Sequence, residues 1–211
     1  MSKNITIIGA SAGVGLQCVR VALERGHTVT TLSRNTASLP RHAALKALEG
    51  SATRVDDLRR SLAGADAAIV TLGTGMDRKP TTLYTDFGRA LIAVQSELGN
   101  TPIQVLTGFG AGDSSAYQGW FAKMLFNLLL KAVYENKSEL EAMIEASSLN
   151  WSLVRPGMLT NKPSALPANA QVSYRMGMKV GSVSREAVAR FMIQQAENPT
   201  CLRQKPALST N

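Results

Sequence analysis

The chain lacks the features that would place it in several large protein classes. Only two of its 211 residues are cysteine, Cys18 and Cys201. Neither has metal-ligand spacing or a local partner, which excludes a disulfide scaffold, gives no reason to expect a metal site, and suits a reducing compartment. Aromatics make up 5%, too few for a base-stacking surface. The 23 lysines and arginines are scattered, with no run of about five like charges of the kind that makes a nucleic-acid tail, so nucleic acid is not expected as a partner. The longest apolar stretch, Trp120 to Tyr134, is interrupted by Lys123, Asn127 and Lys131, so no membrane span is expected. The chain runs into a strand within a few residues, so no signal or transit sequence is expected, and a cytoplasmic protein is the expectation. There is no internal repeat, low-complexity block or linker. The length suits one sizeable domain, and residues 1–211 are read as one.

What the chain does have is a formal charge of +8, read as attraction for an anionic ligand, and one stretch around which the rest is organised. Ile5 to Gly15 reads Ile-Thr-Ile-Ile-Gly-Ala-Ser-Ala-Gly-Val-Gly. An uncharged apolar run meets a turn bearing Gly9, Gly13 and Gly15, then a helical pattern with Leu16, Val19 and Leu23 on one face. Strand, glycine turn and helix in that order make a phosphate cradle. Glycine lets the backbone approach a diphosphate, and the helix N-terminus offers free N–H groups and a positive dipole end.

The second strand, His27 to Leu32, ends in Ser33-Arg34-Asn35. A carboxylate at this point would accept from the ribose 2′-OH of NAD, whereas an arginine suits the 2′-phosphate of NADP. No Asp or Glu lies between Thr28 and Arg41, so NADP(H) is favoured over NAD(H), with Arg34 as the phosphate ligand. Further strands are expected at 44–48, 65–72, 103–106 and 150–154, and helices at 55–62 and 83–98. A long helical region covers 116–147, broken near Asn136, and Ser184 caps a last helix through Gln195. Glycine-bearing turns follow two of the strands, Gly73-Thr74-Gly75 and Thr107-Gly108-Phe109-Gly110, at the carboxyl ends where open α/β sheets bind ligands. Residues 157–183 read as a substrate-side loop region, with Val172 to Met176 as a short strand, and the tail after Pro199 as an edge strand or a frayed end. The helix over 116–134 is apolar on more than one face and reads as a homodimer surface, a substrate wall or a core helix under a loop. Alternating strands and helices give an α/β fold with a doubly wound parallel sheet.

At this point the sequence resembles the atypical short-chain dehydrogenase/reductases, the small Rossmann-fold NAD(P)H-binding proteins that include NmrA-like proteins and biliverdin-IXβ (flavin) reductase. The landmarks are the glycine loop, Leu32-Ser33-Arg34-Asn35, Gly64 to Val70 leading into Leu72-Gly73-Thr74-Gly75, Lys137, and Leu149 to Gly157 with Arg155-Pro156-Gly157. The resemblance implies that Gly9, Ser11, Gly13, Val14 and Gly15 line the diphosphate, and that Ser33 and Arg34 hold the 2′-phosphate. Leu72, Gly73 and Thr74 would pass along the adenosine and ribose. Thr107 would stand in the place of the family's active-site serine. Lys137 would contact the nicotinamide ribose, and Pro156 and Gly157 would flank the nicotinamide.

Three departures matter. The spacing Gly9-x-x-x-Gly13-x-Gly15 is that of ordinary short-chain dehydrogenases. An aspartate that often contacts adenine is missing, with Ser51 near its place. And the family's Tyr-x-x-x-Lys pair is one residue short here, Tyr134-Glu135-Asn136-Lys137. One residue is about 100° of helical rotation. Tyr134 is the candidate general acid, but with Lys137 in its family position it points away from the usual proton-donor place.

A lost proton donor does not forbid hydride chemistry. Flavins and quinones accept hydride and take their proton from water, so catalysis needs the two reactants held face to face. Thr107, Phe109, Tyr117, Trp120, Phe121, Met158, Tyr174 and Met176 are candidates for an apolar acceptor pocket. The expected function is an NADPH-dependent reductase of a flat aromatic or conjugated small molecule. The alternative is a non-catalytic NADP(H) sensor of the NmrA kind. An epimerase or dehydratase on a nucleotide sugar ranks last, because the segment after the sixth strand is short.

Overall fold

The computed structural model describes residues 1–75, 81–117, 131–162 and 181–208. Seven parallel strands form one sheet in the order β3-β2-β1-β4-β5-β6-β9: β1 Asn4–Ile8, β2 Thr28–Ser33, β3 Leu45–Glu49, β4 Ala67–Val70, β5 Pro102–Leu106, β6 Asn150–Pro156 and β9 Ala207–Leu208. The chain leaves β1 toward one edge and returns through β4 toward the other, so the order reverses between β1 and β4. That reversal opens a crevice beyond the carboxyl ends of these two strands. The tail adds the parallel edge strand β9 rather than fraying.

Side-chain alternation divides the core between the two faces of the sheet. Ile5 and Ile7 of β1, Ile69 of β4 and Val154 of β6 pack with α1 (Gly13–Glu24) and the last helix, α6 (Arg185–Glu197). Ile8, Val70 and Leu153 pack on the opposite side with α2 (Val55–Leu62), α3 (Leu83–Ala93) and α5 (Lys131–Glu145). Thr6 faces that second layer among apolar neighbours, and its hydroxyl donates to Ser61 O at 2.7 Å.

Several expectations are corrected. The α1 face that enters the core is Val14, Cys18, Val21 and Ala22, with Val19 between, while Leu16 and Leu23 lie at its half-buried margin. The helix at 83–98 stops at Ala93 and resumes as a single turn, α4 (Gln95–Leu98), which ends at Gly99 with φ 52°. The break expected near Asn136 does not occur. Asn136 lies inside α5, and its Oδ1 accepts from the N–H groups of Tyr84 and Thr85 at 2.9 and 3.4 Å. These are first-turn donors of α3, whose own N-cap residue Thr82 makes no capping bond. A polar residue in mid-helix thus caps its neighbour. Ser184 caps α6 through Ala187 N at 3.0 Å. Residues 157–183 are not loop throughout, because β7 (Met158–Thr160) pairs in parallel with β8 (Ser182–Ser184). Gly112–Tyr117 form a 3-10 turn. Most of the proposed dimer helix and the strand at Val172 to Met176 lie outside the described residues, as do Trp120, Phe121 and Tyr174. Among the described residues no helix is long and apolar enough to cross a membrane.

Candidate functional site

The crevice at the β1/β4 reversal is a cleft of about 960 Å³. Its floor is set by two glycines. Gly9 ends β1 at φ 84°, and a Cβ there would lie 2.8 Å from the Thr71 carbonyl oxygen. A Cβ on Gly15 would collide with Gly9 O and the Thr71 hydroxyl. Backbone therefore packs on backbone where α1 begins, and the helix N-terminus is drawn against the strand end. Gly15 does this by close packing beneath the loop and does not itself border the cleft. Gly9, Ser11, Gly13 and Val14 do border it, together with Leu72, Gly73 and Thr74 beyond β4.

Beyond β2, Arg34 is exposed at the rim and Ser33 is buried beside it. The Ser33 hydroxyl accepts from Ala10 N–H at 3.0 Å and so holds the glycine loop in place. Ser51 and Ala52 close this end. No aspartate or glutamate borders the cleft among the described residues, while Arg34, Lys137 and Arg185 do. The site is therefore cationic throughout its length.

The other end is built by β5, β6, α3 and α5. Lys137 is half-buried, and its ammonium donates to the Thr107 carbonyl at 2.7 Å. It sits 5.2 Å from the ring centre of Tyr84 and 4.9 Å from that of Tyr134, within cation–π range of both. Burial pushes the Lys137 ammonium down to about 8, with Glu141 opposing. Burial and the nearby Glu141 push the Tyr134 phenol up to about 12. Tyr84 is likewise pushed up to about 12, by burial and by Tyr134, against a hydrogen bond from Thr74 backbone. The family arrangement, a lysine that makes a tyrosine more acidic, is not what this geometry provides: Lys137 lies over the face of the Tyr134 ring. The Tyr134 hydroxyl instead lies against Gly108, where a Cβ would come within 2.9 Å.

Thr107 borders the cleft, but its proton is committed. The hydroxyl donates to Glu141 Oε1 at 2.6 Å. Glu141 also accepts from Arg155 Nε at 3.1 Å and Nη2 at 2.6 Å. Both side chains are fully buried. Arg155 reaches on to Asp113 at 2.7 Å, which meets Lys205 at 3.3 Å. Burial pushes the Asp113 carboxyl up, but Arg155 and Lys205 outweigh it and hold it below the usual carboxylate range. Gly112 makes room for the ion pair, since a Cβ there would meet Glu141 Oε2 and Arg155. An ionised carboxylate only accepts, so the Thr107 hydroxyl turns lone pairs, not its hydrogen, to any other neighbour.

The structure brings Thr107, Tyr134, Lys137 and Pro156 to one end of the cleft. Gly157 is not among the cleft residues; its N–H donates to Leu208 O in the edge pairing. Met158 is 71% exposed, and its neighbour Leu159 faces the cleft instead. Phe109 is buried and does not border the cleft. Sequence reading missed Tyr84, Glu141 and Arg185. Glu141 follows Lys137 by four residues, and so shares its helix face. An acid there between the apolar Leu140 and Ile144 was the available signal.

A family model described as NAD(P)H-binding matches residues 9–199. The chain belongs to this NAD(P)H-binding family. Among curated proteins, the chain is 28% identical over 201 residues to the uncharacterized sugar epimerase YhfK of Bacillus subtilis, an alignment covering 90% of this chain and 86% of that one. Two solved structures show the same fold. A short-chain dehydrogenase/reductase of Veillonella parvula in complex with NADP has a TM-score of 0.79 at 18% identity, covering all of this chain and 95% of that one. ChuY, an anaerobillin reductase of Escherichia coli O157:H7, has a TM-score of 0.72 at 23% identity, covering 98% and 96%.

Proposed function

We propose that this protein is an NADPH-dependent reductase that passes hydride to a flat conjugated acceptor such as a flavin, a quinone or a tetrapyrrole-like molecule. The residues fit the cofactor. Gly9 and Gly15 hold the first turn of α1 where a diphosphate needs bare amides, and among the described residues three cations and no acid line the cleft. When bound, NADPH supplies the hydride. The chain supplies positioning: Arg34 would hold the 2′-phosphate and Lys137 the nicotinamide ribose, while Pro156, Leu159, Val133 and the rings of Tyr84 and Tyr134 form an apolar wall.

The observation that carries the choice of acceptor is the committed proton of Thr107. With that hydrogen directed at Glu141 and both phenols pushed up to about 12, no hydroxyl of the described residues at this end is matched for proton donation near neutral pH. Acceptors that take hydride on a conjugated ring and their proton from water need none. The same fold carries the anaerobillin reductase. The free, buried thiols of Cys18 and Cys201 suit the reducing cytoplasm.

The test is NADPH oxidation with riboflavin, FMN, quinones and bilins. Steady turnover on at least one is expected. No turnover with nucleotide binding retained would point to an NADP(H)-sensing regulator. Conversion of a nucleotide sugar without net NADPH consumption would replace the reading with an epimerase. Arg34→Ala should weaken NADPH by roughly 10–100-fold, the range for a lost charged hydrogen bond, and NADH far less. Equal losses in titration calorimetry would remove Arg34 from the 2′-phosphate.

A further inference from the structure

We infer that Arg185 binds the cofactor diphosphate and ties the acceptor-side strand β7 to it. The proposal rests on the cofactor reading above and adds a residue that the glycine-loop pattern does not contain.

Arg185 is the first residue of α6, and it borders the cleft. Helix α6 packs against α1 through Val188 and Met192 in the core that also holds Val14, Cys18 and Val21. The N-termini of α1 and α6 therefore meet at the same end of the molecule. The Arg185 Nε lies 3.9 Å from the point that a Cβ on Gly13 would occupy, beside the middle glycine of the loop.

Two independent features show that this guanidinium is placed for an anion. First, its hydrogen-bond partners are neutral. Nη1 donates to Leu159 O at 3.3 Å and to Asn161 Oδ1 at 2.9 Å, which leaves the Nε edge turned toward the glycine loop. That edge is the fork that matches two phosphate oxygens. Second, a cation in the first turn of a helix opposes the helix dipole. Ser184 and Glu186 give α6 the ordinary N-terminal chemistry, and Arg185 runs against it. An anionic ligand lying across both helix ends relieves that opposition.

The ligand class is a diphosphate, and the 2′-phosphate is irrelevant to it. Arg34 and Arg185 thus divide the cofactor: one distinguishes NADP(H) from NAD(H), the other serves both. Because Leu159 borders the cleft and gives its carbonyl to Arg185, the same side chain joins the diphosphate to the wall against which an acceptor lies.

The experiment is titration calorimetry of the full chain at low salt with four probes: NADPH, NADH, ADP-ribose and adenosine 2′-monophosphate. Arg185→Gln should weaken the first three by one common factor of about tenfold or more. It should leave adenosine 2′-monophosphate, which has no diphosphate, within roughly twofold of the wild type. Arg185→Lys, which keeps the charge and loses the fork, should recover part of the affinity. Unchanged NADPH affinity in Arg185→Gln, or an equal loss for adenosine 2′-monophosphate, overturns the proposal while the cofactor reading stands. A wild-type chain that binds none of the four overturns both.

Discussion

Glu141→Leu should cost this protein about 3–5 kcal/mol of stability, the range for removing one partner of a buried ion pair. In a chain of this size that is a fall in Tm of roughly 6–20 °C. The reason is what the substitution leaves behind. Arg155 is wholly buried in β6 and loses both bonds to Glu141. Asp113, which meets Nη1, is 56% exposed, so solvent screens what it can offer the guanidinium. The Thr107 hydroxyl loses its acceptor at the same time. Two companions separate charge from volume. Glu141→Gln keeps the shape and an acceptor but not the charge, and should fall between wild type and Glu141→Leu. Glu141→Leu with Arg155→Leu removes both charges, and should recover much of the loss because a buried pair can often be replaced by apolar residues at little cost. Arg155→Leu alone completes the cycle, and urea denaturation of the five proteins measures this. A Glu141→Leu protein within about 1 kcal/mol of wild type would show that water reaches the pair. A double variant as unstable as the sum of the singles would show that the two residues do not interact.

This network also shows where sequence reading stops. Strand, turn and helix at Ile5 to Gly15 were legible because each carries a local signal: an uncharged apolar run, glycines where the backbone turns, and an apolar helical stripe. The capping of α6 by Ser184 is local in the same way. The stripe on α1 was misassigned because Leu16 and Leu23 are larger than the Cys18 and Ala22 that enter the core. Small residues win that face because the helix lies close to the sheet, a fact about its neighbours and not about itself. Asn136 read as a helix breaker because its partners, the N–H groups of Tyr84 and Thr85, are 52 and 51 residues away. Glu141 and Arg155 meet from α5 and β6, and Tyr84 meets Lys137 from α3. No periodicity encodes such meetings. The end of the cleft at the glycine loop and Arg34 lies in strand-end turns that announce themselves; the end at Thr107 and Lys137 is assembled across elements, and its residues look like core or surface until they are brought together.

Lys137→Met should lower kcat/KM for NADPH oxidation on the order of 10²-fold, as the loss of one positioned charged donor does, while leaving the fold as stable or more so. The two effects have opposite signs because the lysine is held against its own preference. Burial brings its ammonium from 10.5 down to about 8. Between those values the unfolded chain binds a proton that the folded chain has released, so stability rises with pH across roughly pH 8 to 10.5 in the wild type. In Lys137→Met that contribution is absent, and methionine keeps an apolar stem beneath the rings of Tyr84 and Tyr134. Activity runs the other way. The free enzyme's kcat/KM should fall as pH rises through about 8, where the ammonium loses the charge that draws in the cofactor and one of its donor hydrogens. That alkaline limb should vanish in Lys137→Met, whose residual rate should be flat from pH 7 to 9.5. Two measurements decide the matter: kcat/KM against pH, and urea stability against pH, for both proteins. An alkaline limb that persists in the variant assigns the titration to another group. A variant that loses stability and activity together makes Lys137 a structural anchor for Thr107 rather than a cofactor ligand.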